Sequence, residues 1–350
     1  MGTSGLWRVT EAVLNAGPRS AKPQIQNLKS TDWPTYRHDP ARTGATQAAV
    51  PPELSVLREA RLGGQLSSPV VAEGLALVAS ARDHSIHAVD AATGRERWQF
   101  TAEGGVDSPP TIAAGLVVFG CADGWVYCLR AAEGALVWRS LVAPQERRVV
   151  AFGRVESAWP VSGSVLIRDG VAYCAAGRSS SLDGGIHLCK LDLQTGRELA
   201  RRVVYSRDAE TGEQPEEPLM FELPGALPDV LSTDGDSVYM RRLSFAADSL
   251  QPQEPKAHLY SPAGFLHDDW WRRTYWIFGD HFYSGYIGLV LRRPGGASGS
   301  IALDVRVGAL RLRLQARVLP RRHRTQVPPV LPGPLSGDSP AAPRLRPCQP

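Results

Sequence analysis

The chain has 350 residues, 43% hydrophobic and 21% charged, an ordinary soluble composition long enough for one large domain or two modest ones. Its longest apolar runs, such as Gly115–Gly120, are too short to span a bilayer, and 34 Gly with 28 Pro favour a turn-rich all-β chain over a helical bundle. The formal net charge of +4 is unevenly spread: Leu289–Pro350 holds 11 Arg, no Lys and 2 Asp, so the body Met1–Gly288 is mildly acidic and gives no electrostatic footprint for nucleic acid.

Residues 1–31 read as an N-terminal extension. Met1–Ser20 has no continuous apolar stretch, so no secretory signal is visible and the compartment is left open. The body begins at Asp32-Trp-Pro-Thr-Tyr-Arg-His-Asp39, followed by Arg42-Thr-Gly44. A repeat then organises it. Ser67–Trp98 and Asp107–Trp138 align with a constant offset of 40, which matches Pro69 to Pro109, Asp83 to Asp123, Gly94 to Gly134 and Trp98 to Trp138. A third copy, Val161–Leu199, carries an insertion near Arg178–Gly184, and its final Trp reads as Leu199. A weaker fourth begins at Leu227.

Within the first copy, Val70–Val71, Leu75–Ala79 and Ile86–Val89 are short β-branched runs. Glu73–Gly74, Arg82–His84 and Ala92–Gly94 supply turn chemistry between them. Four short strands in a repeat of this length make one propeller blade, a unit that cannot cover its own two faces and so must stack on neighbours. The predicted fold is all-β: a partial β-propeller of about four four-stranded blades over 32–288, near 67–100, 107–140, 158–202 and 227–286. Gly94, Trp98, Gly134, Trp138 and Gly196 are its structural motif, each Trp wedging against the next blade.

Ala88-Val-Asp-Ala-Ala-Thr-Gly94-Arg-Glu-Arg-Trp98 resembles the signature of pyrroloquinoline-quinone-like β-propeller repeats, and Leu191-Asp-Leu-Gln-Thr-Gly196 repeats its centre. Asp32–Gly44 is similar to the segment that commonly leads into such propellers. The resemblance implies a propeller and spans dehydrogenases, assembly scaffolds and proteins that usually work outside the cytoplasm. In the family's enzymes it implies a quinone held between a tryptophan and a vicinal cysteine disulfide, with calcium on acidic and amide ligands. No two cysteines are adjacent in this chain, and its blades are fewer than the family's usual complement, so no catalytic residue is carried over.

The five cysteines are Cys121, Cys128, Cys174, Cys189 and Cys348, with no zinc spacing. An Asp123–Gly124 hairpin turn sets Cys121 opposite Val126 with Cys128 diagonal to it, too far for a bridge. Around the third copy, Glu156 with Arg154 and Trp159, and Arg178 with Ser179, Ser180 and Asp183, fall on loops of the kind that bind ligands. His84 and His87 fall on a turn and a strand of the first blade. His267, Asp268, Asp269 and His281, with Asp280 nearby, are the candidate metal ligands, set among aromatics that equally suit a packed blade junction.

From Leu289 the chain loses every Phe, Trp and Tyr, which predicts a disordered Arg/Pro-rich tail. Codon degeneracy permits aromatic residues when Gly288–Gly295 is read one base further along, and an aromatic, alternating string over Ala309–Arg324, which favours an out-of-frame tail over 289–350 and a truncated propeller over a genuine Arg/Pro-rich tail that solvates the protein or binds acidic partners. Uncovered end blades then predict dimerisation through their edges. No phosphate loop, nucleophile elbow or metalloprotease motif is present. The preferred function is a non-catalytic binding or scaffold propeller, without a cofactor, that takes a protein or small-molecule ligand at its loops. The alternative is a quinone-dependent oxidoreductase or its remnant, with pyrroloquinoline quinone and calcium.

Overall fold

The computed structural model describes residues 32–49, 53, 59–151, 153–208, 210–213, 228, 230–261 and 276–279, with the backbone of 302–307 and 310–315. All of these lie in one compact unit, Met1–Gln315. No helix forms among the described residues. The first sheet contains β1 (Val70–Ala72), β2 (Leu75–Ser80), β3 (Ser85–Asp90) and β4 (Glu96–Thr101) in sequence order, all antiparallel. The second repeats it with β5 (Thr111–Ala113), β6 (Leu116–Gly120), β7 (Trp125–Arg130) and β8 (Leu136–Leu141). A two-stranded hairpin, β9 (Arg148–Ala151) and β10 (Arg154–Ser157), is inserted before the third sheet. That sheet is β11 (Leu166–Arg168), β12 (Val171–Ala176), β13 (Ile186–Asp192) and β14 (Glu198–Val204).

The fourth sheet holds β15 (Leu231–Thr233), β16 (Ser237–Met240), β17 (Leu243–Ala246) and β18 (Pro252–Gln253) among the described residues. A separate ladder pairs β19 (His258–Tyr260) with β20 (Ile277–Gly279). In the tail, read from its composition as disordered, β21 (Ala302–Val307) pairs with β22 (Leu310–Gln315). The strict alternation of apolar and charged residues in Leu310-Arg-Leu-Arg-Leu314 has strand period, and that local pattern outweighs the bulk composition there.

Strand alternation explains why the sheets stack. In the second sheet Val117, Phe119, Tyr127 and Leu129 face the first sheet, in a core with Leu77, Ile86 and Trp98. The alternate residues Val118, Val126 and Cys128 face the third, with Ala172, Cys174 and Cys189. The third sheet repeats the division and turns Tyr173, Ala175, Ile186 and Leu188 toward Val238, Met240 and Phe245 of the fourth. Burying both faces of a blade requires apolar residues at both parities, which is why β6 reads as a continuous hydrophobic run.

The turns between the third and fourth strands are built alike. Asp90 Oδ1 accepts from the N–H of Ala92 and from both the N–H (2.8 Å) and the hydroxyl (2.9 Å) of Thr93, while Arg97 pairs with Oδ2. Asp192 does the same for Gln194 and Thr195. Gly94, Gly134 and Gly196 follow at positive φ and donate back to Asp90 O, Arg130 O and Asp192 O. Each tryptophan caps the next blade at this turn. Trp98 donates Nε1–H to Ala131 O at 2.9 Å and lies on Gly134, where a Cβ would meet its ring at 2.6 Å. Trp138 donates to Leu193 O at 3.0 Å and lies on Gly196 in the same way.

Two sequence registers are corrected. Trp98 pairs with Ala88 and Trp138 with Cys128, and the corresponding partner, Lys190, pairs with Ala200. Ala200, not Leu199, therefore stands where the tryptophan would be, and Leu199 points outward, 39% exposed. The equivalent bulge in all three sheets keeps this register. In the second sheet Val126 opposes Gly120, not Cys121, because the turn takes one more residue. Cys121 and Cys128 lie in different inter-sheet cores, which separates them more firmly than a diagonal would.

The first strands of the sheets converge, and Trp33–Gly44 runs across them. Trp33 forms a two-bond bridge with Val71 of β1, Pro34 O accepts from Ile112 of β5, and Pro40 O from Thr233 of β15. Arg42 is fully buried here. It donates to Leu231 O (2.9 Å), Thr35 Oγ1 (2.7 Å), Tyr36 O (2.8 Å) and Ser164 O (3.2 Å). Burial lowers its pKa to about 10, with Tyr36 and Asp39 opposing the shift. Beside it the hydroxyls of Thr35, Thr111 and Ser164 bond one another. The lead-in segment thus ties all four blades at their shared axis.

Candidate functional site

In a four-stranded meander the β2–β3 turn and the link to the next blade lie at one end of the sheet, and the other two turns at the opposite end. The first end collects Ala81–His84, Glu103–Ser108, Val142–Gly163 and Gly177–Gly185 into a loop face. The sequence candidates Arg154, Glu156, Trp159, Arg178, Ser179, Ser180 and Asp183 all lie on it.

A run of ion pairs braces this face. Arg154 reaches Asp107 Oδ1 at 3.3 Å and Ala81 O at 3.2 Å, which pins β10 to the first-to-second blade link. Two residues on, Glu156 accepts from Arg178 Nη2 at 2.6 Å. Arg178 also donates to Ser157 O (3.0 Å) and Ala158 O (3.3 Å). Glu156 and Arg178 are both largely buried. Burial pushes the Glu156 carboxyl above its ordinary range, while Arg178 and Arg154 pull it back. Trp159 Nε1–H donates to Asp183 O at 2.8 Å. Arg147 stacks over the Trp159 ring at 4.8 Å and pairs with Asp183. Ser180 bonds Ser206 Oγ at 2.8 Å, and Ser179 Oγ caps Ser181 N. These groups bind one another, so the face is a rigid platform rather than a set of free nucleophiles.

Other chemistry-bearing groups lie elsewhere. Ser85 Oγ is 3.0 Å from His87 Nε2, and His87 Nδ1 is 2.7 Å from Glu96 Oε1. The order matches a hydrolase relay, but Ser85 is fully buried and cannot meet a substrate. The alternation Ser85-Ile-His87 was the only sequence signal for it. His84 sits in the turn at φ 56°. Cys174 lies directly opposite Cys189. The neighbouring Gly170–Leu193 pair is hydrogen-bonded, so alternation makes the cysteine pair hydrogen-bonded too, the wider of the two classes. Burial raises all four described thiols, Cys189 to about 12, which leaves them unreactive. His267, Asp268, Asp269, Asp280 and His281 lie outside the described residues, as does Cys348. Among the described residues no three His, Cys, Asp or Glu side chains assemble as metal ligands. None of the helices sought among those residues is long and apolar enough to cross a membrane.

Among the described residues the quinone implied by the resemblance finds no fitting site. The four described cysteines are packed singly or as a cross-strand pair in inter-blade cores, so no vicinal disulfide can form its wall. The tryptophans Trp98 and Trp138 are spent on inter-blade glycines, and the axis is filled by Arg42 and its partners.

The family model described as outer membrane protein assembly factor BamB, of PQQ-like repeats, matches residues 30–221. No curated protein matches the chain. Among solved structures, the quinohemoprotein alcohol dehydrogenase ADHIIG from Pseudomonas putida HK5 is 14% identical at a TM-score of 0.48, covering 64% of this chain and 40% of that one. The quinohemoprotein alcohol dehydrogenase from Comamonas testosteroni is 16% identical at 0.45, covering 63% and 40%. BamB from Moraxella catarrhalis is 19% identical at 0.35, covering 55% and 53%. The chain spans about two fifths of the first two and about half of the third. A repeat, a turn chemistry and a family match over more than half of its length agree: the chain belongs to the PQQ-like repeat family of β-propeller proteins.

Proposed function

We propose that this protein is a non-catalytic binding or scaffold propeller whose loop face takes a protein ligand. The observation that carries the reading is the platform itself: Asp107–Arg154 and Glu156–Arg178 fix an inserted hairpin between two blades, and every charged group in that run is already satisfied within the protein. Binding surfaces gain from such preorganisation, because little side-chain freedom is left to lose on association. A catalytic site would need at least one reactive group left accessible, and the charged groups of this run are turned to one another.

A photo-crosslinking residue at Leu182, on the loop face, is expected to trap one discrete partner in cells. The same residue at Ala92, on the opposite turns, is expected to trap none. Equal trapping at both, or none at either, removes the reading. A second arm follows quinone absorbance during titration with pyrroloquinoline quinone and calcium. No saturable uptake is expected, and stoichiometric uptake with alcohol-dependent reduction would establish the oxidoreductase alternative.

A further inference from the structure

We infer that the free edge of β9 in the inserted hairpin is a docking site for an extended strand of a partner protein. The inference rests on the binding reading above and names the surface and the form of the ligand. The hairpin has two dissimilar faces. Val149, Arg154 and Glu156 point to the propeller, Val149 against the core between the second and third blades and the other two into the ion-pair run. Val150 and Val155 are directly opposite each other on the other face, 78% and 61% exposed. Two β-branched side chains side by side in water is the wrong pattern for an exposed strand pair unless something covers them.

The two edges also differ. The Ala158 N–H donates to Arg147 O, which makes 147–158 a hydrogen-bonded pair and, by alternation, also 149–156 and 151–154. The main-chain groups of Arg148 and Val150 therefore point away from β10, and those of Val155 and Ser157 away from β9. On the β10 side the edge is tied back, because Ser157 N donates to Ala122 O at 2.8 Å. On the β9 side no described strand pairs with Arg148 or Val150. An open row of backbone donors and acceptors beside an exposed valine pair is the arrangement that accepts an added strand.

Size decides between occupants. β9 has four residues, roughly 13 Å of edge at strand rise. A stable dimer of two copies buries on the order of 1,200–2,000 Å² in total, far more than two valines and this edge provide. One short extended segment fits. Arg148 lies on the same edge, its side chain about two fifths exposed and 3.6 Å from Glu103 Oε2, so the segment carries an apolar residue against Val150 and a carboxylate that competes with Glu103 for Arg148.

The probe is a synthetic peptide of about eight residues, alternating valine and threonine with glutamate at both ends. It is titrated into the full chain labelled with 15N. Saturable shifts at the Arg148 and Val150 amides, with slowed exchange of those two protons, are expected. V150D and V155D each weaken binding at least tenfold without moving the thermal midpoint, since both side chains are exposed. A peptide N-methylated along one edge also loses binding. No saturable shift, or shifts that V150D leaves unchanged, overturns the proposal. Sedimentation showing a dimer that V150D dissociates also overturns it, in favour of a second copy. A partner trapped at Leu182 with no effect of V150D leaves the binding reading standing while the strand site fails.

Discussion

At Gly134 and Gly196 the backbone sits at φ 71° and 69° with a tryptophan ring where a Cβ would go. An alanine there has to carry both the left-handed conformation and a 2.6 Å clash with a ring held by its own hydrogen bond. Gly134→Ala should lower unfolding free energy by about 2–4 kcal/mol in urea titration. Gly74, at φ 78° with open space around it, should lose only the conformational part, about 1 kcal/mol, on the same change. Equal losses at the two positions would show that the tryptophan contact contributes nothing. His187 offers a pH test. Burial lowers its imidazole pKa and the Arg201 guanidinium, 3.3 Å from Nδ1, lowers it further. The unfolded chain then takes up the proton first as pH falls. The stability tied to the neutral ring is complete above the ordinary imidazole value, about 6.5, and is lost as pH drops through it toward the folded value. The urea midpoint of the native protein should fall between about pH 7 and 5, and His187→Asn should flatten that slope. An unchanged slope would place the pH dependence on other groups.

At the scale of elements, the interface between the third and fourth blades shows how one repeat rule is kept in volume while it is lost in sequence. Where earlier interfaces pair a tryptophan with a glycine, this one has Ala200 and, in the corresponding turn, Leu250. Leu250 N donates to Ala246 O as Gly94 N does to Asp90 O, at φ 57°, and Leu250 is fully buried in the core that Ala200 packs against. Large and small have changed sides. Leu250→Gly should cost about 2–5 kcal/mol by leaving a cavity, and Ala200→Trp about 1–3 kcal/mol by overfilling. The double variant should recover at least about 1 kcal/mol of their sum, and additive losses would break the equivalence. The sequence does not announce this exchange: the Gly94-to-Trp98 spacing counted from Gly196 reaches Ala200, but its partner Leu250 lies in a fourth copy whose turn has lost the Asp and the Gly of the earlier ones. The turn Asp208–Gly212 has the same bonds as Asp90–Gly94, yet it follows a fourth strand and so did not register as part of a blade. Arg42 is a different case. Its motif was visible, but its role depends on Leu231, 189 residues away. Arg42→Met removes four bonds, three of them to backbone carbonyls, and should lower stability by about 2–4 kcal/mol with faster amide exchange in β15. A neutral substitution would make the lead-in segment a passive strap.

Across the molecule, the blade period, the turn residues and the stacking of sheets were legible in the sequence because each is set within about 40 residues, by alternation and by Asp, Thr and Gly at fixed offsets. The loop platform was legible only as a set of residue types, since the pairs Asp107–Arg154 and Glu156–Arg178 join two inter-blade links and one turn within the third sheet. The same geometry sets how the protein should open. A stacked-blade protein is stabilised chiefly by contacts between neighbouring units, so a sheet covered on both faces should be the last to exchange. The second sheet is in that position: all of β6 is buried, and its two faces belong to two different cores. In the first sheet, Leu75, Leu77 and Ala79 are buried against the second while Ala76 and Val78 on the other face are only half-buried. Peptides covering β6 and β7, and those covering β12 and β13 of the third sheet, which is likewise shared between two cores, should therefore show the slowest deuterium uptake in exchange mass spectrometry, and those covering β2 faster uptake despite the same strand length as β7. Protection that is uniform across the sheets would mean that the blades unfold as one cooperative block. Protection highest in the first sheet would mean that its outer face is covered as fully as the inner one.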